Sequence, residues 1–211
     1  MDGSECIVQM KNICKTFGAL AANNNINLNV KKGTVHALIG ENGAGKSTLM
    51  NILTGIHKPE SGEIIIKGRK VVLRNSFDAA KLGIGMVYQE FMLFKDLTVI
   101  DNIIMGFEIN KRKFFIDKAK CRQKIENICK QYHFNIPLDS KVNDLSVAIL
   151  QQVEIVKVLY KGADIIIMDE PTSVLTPQGI KGLFDAIRYL TKSGKTIIFI
   201  THKLKEVIEI S

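Results

Sequence analysis

At 211 residues, with 46% apolar and 24% charged side chains, the chain is long enough to bury the core of one globular domain and too apolar to stay disordered. Its net charge of +8 suits nucleic acid, an anionic lipid surface or a polyphosphate, and does not choose among them. Residues 1–5 lack the basic and apolar regions of a secretory leader, and no apolar run approaches the roughly 18 residues of a membrane-spanning helix. If the protein serves a membrane, it is expected to do so from the cytoplasmic side. Cys6, Cys14, Cys121 and Cys129 form no C-x-x-C pair and have no histidine at zinc spacing, so free thiols in a reducing compartment are expected.

Taken in chain order, Ile26 to Val30 and Val35 to Ile39 read as strands. The second runs directly into Gly40-Glu41-Asn42-Gly43-Ala44-Gly45-Lys46-Ser47, which matches G-x-x-x-x-G-K-[ST], and a helical pattern from Thr48 to Thr54 follows. In that context the glycines let backbone N–H groups turn inward around phosphates, and the helix N-terminus adds its positive dipole end. Lys46 supplies an ammonium for the β and γ phosphates, and Ser47 a hydroxyl for Mg²⁺. The motif specifies a nucleoside triphosphate and no more, because GTPases, kinases and motor ATPases share it.

Ile64 to Lys67 and Gly85 to Tyr88 read as further strands. From Thr98 to Lys161 the pattern changes to helix, with no convincing strand. Thr98-x-x-Asp101 is a variant of the capping box, and helices are expected at 117–132 and 147–161. Lys111, Arg112, Lys113, Lys118, Lys120, Arg122, Lys124 and Lys130 face only Asp117 and Glu126 within a basic run. Without interleaved aromatics to stack on bases, the run reads as a solvated helix face and not as a nucleic-acid patch.

Asp164 to Asp169 is an apolar strand that ends on two adjacent carboxylates, Asp169 and Glu170, before Pro171. A strand's carboxyl end is where α/β folds bind ligands. Asp169 is placed to hold Mg²⁺, and Glu170 to take a proton from an attacking water. Thr196 to Ile200 is another apolar strand, followed by Thr201 and His202, which makes His202 a candidate for contacting the γ-phosphate. His36, His57 and His133 lack such placement and read as structural or exposed. Continuous apolar runs such as Ile165 to Met168 suit strands covered on both faces, so an α/β core with a mostly parallel sheet and flanking helices is expected. The last helix, Lys203 to Ile210, has no strand behind it, which suggests a truncated piece.

The ordered set of Gly40 to Thr48, Gln89, Leu145-Ser146, Ile165 to Glu170 and His202 resembles the ATP-binding cassette (ABC) family over almost the whole chain. The resemblance implies a P-loop ATPase that binds ATP and Mg²⁺ between two cassettes arranged head to tail. It implies a core of 1–97 and 162–211, with an antiparallel β subdomain near the N-terminus, and a helical subdomain of about 98–161. By the same resemblance Phe17, in Lys15-Thr16-Phe17-Gly18, stacks on adenine, and Gln89 senses Mg²⁺ and water and communicates with a membrane partner. Segments 162–178 and 201–207 look like the first cassette of importer ATPases for nucleosides and simple sugars.

Such a protein would sit at the cytoplasmic face of the membrane. Its partners would be a second cassette, in the same polypeptide or as a homodimer, the permease subunits and, indirectly, an extracytoplasmic solute-binding protein. A cassette acting on nucleic acid or the ribosome is the alternative. The short interval between Gln89 and Leu145, with no room for a long coiled coil, favours the transporter and no nucleic-acid partner. The signature departs from the family's Leu-Ser-Gly-Gly-Gln: here it is Leu145-Ser146-Val147-Ala148-Ile149, without either glycine or the glutamine. Val147 is familiar in the importer subgroup, but a methyl at 148 and an apolar side chain at 149 are expected to weaken contact with a γ-phosphate on a facing cassette, while Ser146 and its helix N-terminus remain.

Overall fold

The computed structural model describes residues 6–112 and 115–210. Residues 1–5, and Lys113 of the basic run, lie outside the described residues. The chain opens with two twelve-residue strands, β1 (Cys6–Phe17) and β2 (Leu20–Lys31), which pair antiparallel; β3 (Val35–Ile39) follows and leads through the glycine-rich loop into α1 (Lys46–Leu53). Next come β4 (Ser61–Ile66), β5 (Arg69–Val71), α2 (Ser76–Lys81) and β6 (Ile84–Val87). The middle of the chain carries α3 (Val99–Ile104), β7 (Asn110–Arg112), β8 (Phe115–Ile116), α4 (Lys118–Tyr132) and α5 (Val147–Tyr160). It closes with β9 (Ile165–Asp169), α6 (Pro177–Lys192), β10 (Thr196–Thr201) and α7 (Leu204–Ile210).

Two four-stranded sheets form. One is antiparallel in the order β2-β1-β4-β5; the other is wholly parallel in the order β3-β10-β9-β6. The parallel sheet is covered on both faces, and the period-2 alternation of its strands shows how. Ile166 and Met168 of β9, with Ile197 and Phe199 of β10, join a core shared with α3, α4, α5 and α6. Their neighbours Ile165, Ile167, Ile198 and Ile200 join a second core with α1 and the antiparallel sheet. Each fully buried isoleucine or phenylalanine contributes about 1.5–3 kcal/mol, so both layers drive the same strands into place. This is the α/β architecture that the apolar runs predicted.

Local chemistry fixes the element ends. Thr98 caps α3: its hydroxyl accepts the Asp101 N–H at 3.3 Å and donates to the Asp101 carboxylate at 2.6 Å. Asp117 caps α4, accepting from Lys120 N, and Thr176 caps α6 ahead of Pro177.

The structure corrects the expectation that 98–161 contains no strand. Asn110–Arg112 and Phe115–Ile116 pair antiparallel as a small hairpin, too short to leave a period-2 signature. It also adds β1 and lengthens the strand expected at 26–30. Many exposed positions of both are polar, Asn24, Asn25 and Asn27 among them, and Asn12 and Asn25 break the ladder with φ of 52° and 51°. All four cysteines are free, and no cluster among the described residues could hold a metal through His, Cys, Asp and Glu alone.

Candidate active site

The carboxyl ends of the parallel strands converge on a cavity of about 430 Å³. Phe17, Asn42, Gly43, Gly45, Lys46, Ser47, Thr48, Gln89, Asp169 and Glu170 all line it. Gly40, Glu41 and Ala44 complete the loop behind that wall. The Ala44 N–H donates to the Glu41 carbonyl at 3.2 Å, and Lys46 Nζ donates to the carbonyls of Gly40 at 2.6 Å and Glu41 at 2.7 Å. The loop carbonyls thereby hold a half-buried ammonium over the mouth of α1, whose first N–H groups have no partners within the helix. An anion entering here meets the ammonium, the helix N-terminus and a concave backbone together.

Why the loop takes glycine is visible at Gly45. Its φ is +82°, and a Cβ there would sit 2.1 Å from the Ala22 carbonyl oxygen and 2.9 Å from Nδ2 of Asn23. Asn23, itself buried, donates from Nδ2 to the Gly45 carbonyl at 3.2 Å, so β2 clamps the loop from behind.

The other wall comes from the end of β9. Burial lifts the Asp169 carboxyl above its ordinary range; the Ser47 hydroxyl bond opposes the shift, the Glu170 charge adds to it, and Lys46 opposes it. A carboxyl and a hydroxyl that line the same cavity beneath the phosphate loop form a hard-oxygen donor set that suits Mg²⁺. The residues present therefore fit a Mg-nucleotide.

Glu170 leaves the strand at φ 44°, a left-handed conformation that is strained for any residue except glycine. Its N–H donates to the Ile200 carbonyl at 3.1 Å, and its Oε1 lies 3.1 Å from Nδ1 of His202. His202 lies at the end of β10, beyond the cavity wall, and touches the site through Glu170. Phe17 stands 45% exposed at the other end of the cavity, edge-on to His57 with ring centroids 5.3 Å apart.

The signature segment is not brought to this cavity. Ser146 is the exposed N-terminal cap of α5, at φ −70° and ψ 154°, and its side chain makes no capping bond. Leu145 packs against the core, Val147 is 40% exposed and Ala148 half-buried, and none of them lines the wall around Lys46.

A model of the ABC transporter family matches residues 23–173, a span holding the phosphate loop, Gln89, Ser146 and the Asp169-Glu170 pair. The chain belongs to the ABC transporter family. It is 48% identical to the nucleoside import ATP-binding protein NupA of Lactococcus lactis, over 97% of this chain and 40% of the relative. It is 52% identical to the guanosine import ATP-binding protein NupO of Bacillus subtilis, over 92% of this chain and 38% of the relative. The galactose/methyl galactoside import ATP-binding protein MglA of Clostridium perfringens is 46% identical, over all of this chain and 41% of the relative. The chain thus spans about two fifths of the length of these curated relatives. A nucleotide-free ATP-binding cassette from an ABC transporter matches its fold with a TM-score of 0.87 at 26% identity, covering 98% of this chain and 85% of that one. A cassette solved in its ADP conformation gives 0.86 at 27% identity with the same coverage.

Several residues of this ABC chain escaped sequence reasoning because only tertiary contact reveals them. Glu154, buried in α5, accepts the Met92 N–H at 2.7 Å, and Asn102 of α3 accepts the Phe94 N–H at 2.7 Å and donates to the Phe94 carbonyl at 3.1 Å. Together they tie the loop that follows Gln89 to the helices of 98–161. No local motif announces either residue. A polar side chain in an otherwise apolar helix face, such as Glu154 between Val153 and Ile155, was the one available signal.

Proposed function

We propose that the chain is the ATP-binding and ATP-hydrolysing cassette of an importer for a nucleoside or a simple sugar, working at the cytoplasmic face of the membrane. The observation that carries the reading is the meeting of Lys46, Ser47, Asp169 and Glu170 on one cavity whose far end is the Phe17 ring. The solute class is taken from the names of the relatives, two of them for nucleoside or guanosine import and one for galactose.

In this reading Phe17 stacks on adenine, and residues 40–48 wrap the phosphates. Lys46 exchanges its bonds to the Gly40 and Glu41 carbonyls for β and γ phosphate oxygens. Ser47, Asp169 and Gln89 would hold Mg²⁺, which would supply positive charge to neutralise the phosphates. Glu170 takes the proton of the attacking water. His202, through Nδ1, orients that carboxylate and faces the γ-phosphate. The chain acts as one cassette domain, with a core of 1–97 and 162–211 and a helical lobe of about 98–161.

Ser146 stands apart from the cavity in the single chain, so its natural target is a nucleotide held by a second cassette, in the same polypeptide or in a second copy. Permease subunits are the other partner. A groove of about 390 Å³ beside the Gln89 loop presents Phe77, Met92 and Phe94, each more than half exposed, a surface suited to a helical segment of a membrane subunit. A solute-binding protein outside the cell would act indirectly, through the permease.

Glu170→Gln tests the reading. The amide keeps the shape but accepts no proton, so nucleotide affinity should stay within about twofold while hydrolysis by the assembled transporter falls by roughly 10²- to 10⁴-fold. Turnover near the wild-type rate would transfer the base to another group and remove the central residue of the proposal.

A further inference from the structure

Behind the Glu170–His202 pair lies a second polar cluster that the chemistry above does not use. Thr172, two residues beyond Glu170, is 3% exposed; Thr201, which precedes His202, is 2%; Glu206, in the first turn of α7, is 7%. The Thr172 hydroxyl donates to Oε1 of Glu206 at 2.7 Å, and the Thr201 hydroxyl donates to Oε2 at 2.8 Å. Lys203 Nζ neutralises the carboxylate from 3.1 Å, and the Lys203 N–H donates to the Thr201 hydroxyl at 3.1 Å. One buried carboxylate thus fastens the turn after β9, at Thr172, to the last residue of β10, Thr201, and Glu170 and His202 stand within two residues of those anchors.

The physical need for such a fastening is local. Glu170 sits in a strained left-handed conformation, which persists only where its surroundings over-determine it. Its own backbone anchors are two, its N–H to the Ile200 carbonyl and its carbonyl to the Ser173 N–H, each at 3.1 Å, and neither reaches the His202 turn beyond β10. Hydrogen bonds to a buried charged acceptor are the strong kind, and an apolar replacement leaves two buried hydroxyls without their acceptor. None of the clasp's three residues, Thr172, Thr201 and Glu206, lines the wall around Lys46.

We infer that Glu206 is a positioning residue for hydrolysis: through Thr172 and Thr201 it sets the separation of the Glu170 carboxylate from the His202 imidazole without touching nucleotide. The inference rests on the proposed ATPase reading for its effect on rate, and on geometry alone for its effect on the two turns.

The test uses Glu206→Ala, Glu206→Gln and the wild type in the assembled transporter, with three measurements. Glu206→Ala should lower kcat at least tenfold while the KM for ATP and the Mg-ATP affinity of the Glu170→Gln background stay within about twofold. Glu206→Gln keeps one carbonyl acceptor and presents its amide to a hydroxyl that can rotate to accept, and should recover most of the rate. Hydrogen exchange should accelerate at the Glu170 and Lys203 amides in Glu206→Ala, and not along the middle of β9 and β10.

Wild-type kcat in Glu206→Ala would overturn the inference. So would an equal loss of affinity and rate in both variants, which marks a general packing role. Absence of hydrolysis in the wild type would overturn the ATPase reading instead. The exchange data, which need no turnover, then decide the clasp: selective acceleration supports it, and uniform or absent acceleration overturns it.

Discussion

Replacing Gly45 with alanine separates two reasons for a glycine: the backbone angle and the space. Both operate at Gly45, where φ is +82° and an added Cβ would lie 2.1 Å from the Ala22 carbonyl oxygen. The left-handed conformation costs a non-glycine residue about 1–2 kcal/mol. Relieving an overlap with backbone adds on the order of 1–3 kcal/mol, because β2 cannot yield as a flexible side chain does. The sum is roughly 2–5 kcal/mol. Gly43 supplies the control, with φ +83° and nothing within 4 Å of its added Cβ, so Gly43→Ala should cost only the backbone part. Urea unfolding of both variants against the wild type, at unchanged m, measures the difference. Calorimetry with Mg-ATP should add a loss of affinity of at least tenfold for Gly45→Ala, since relief of the clash moves Lys46 and Ser47. Equal destabilisation by the two variants would refute the claim that β2 braces the phosphate loop.

Two further variants have definite expected outcomes. Asp169 is held above its ordinary carboxylate range chiefly by burial, so the folded state grips its proton more firmly than the unfolded chain does. The stability linked to that proton is present below about pH 4 and is lost as pH rises through the elevated folded value. Asp169→Asn should therefore unfold at higher urea than the wild type at pH 7 and at nearly equal urea at pH 4, while losing Mg-dependent nucleotide affinity; a less stable Asn variant at pH 7 would contradict the assignment. In sedimentation with ATP, the chain carrying Glu170→Gln should remain mostly monomeric, because a facing copy would offer Val147, Ala148 and Ile149 in place of glycines and glutamine; a tight ATP-dependent homodimer would show the altered signature to be competent.

How much of this was legible in the sequence depends on whether the signal is local. β9 and β10 were readable because burial on both faces demands an unbroken apolar run, and both cores take alternate residues from those runs. The phosphate loop was readable because its residues act within eight consecutive positions. β1 and most of β2 were hidden: one face of that sheet is wet, its outward residues include Lys11, Asn12, Asn24 and Asn25, and bulges break the alternation. The β7–β8 hairpin was too short to show a period.

At the site, local motifs marked Lys46, Ser47, Asp169 and Glu170, while Phe17 and Gln89 were assigned to it only through the family resemblance, because their contacts join residues far apart in the chain. It gave no hint that Asn23 backs the loop, that Glu154 and Asn102 hold the segment after Gln89, or that Glu206 joins two turns. Each is a single polar residue whose partners are set by the fold. The positive φ of Glu170 was equally invisible, since a glutamate carries no local preference for that conformation.

Titration calorimetry with Mg-ATP on the wild type and on Lys46→Ala tests whether Lys46 holds the nucleotide's phosphates in this cavity. A charge-assisted contact is worth about 1.5–3 kcal/mol, so saturable binding at one site per chain and a weakening of roughly 10- to 100-fold in the variant are expected. Heats that do not saturate in the wild type, or equal affinity in Lys46→Ala, would contradict it.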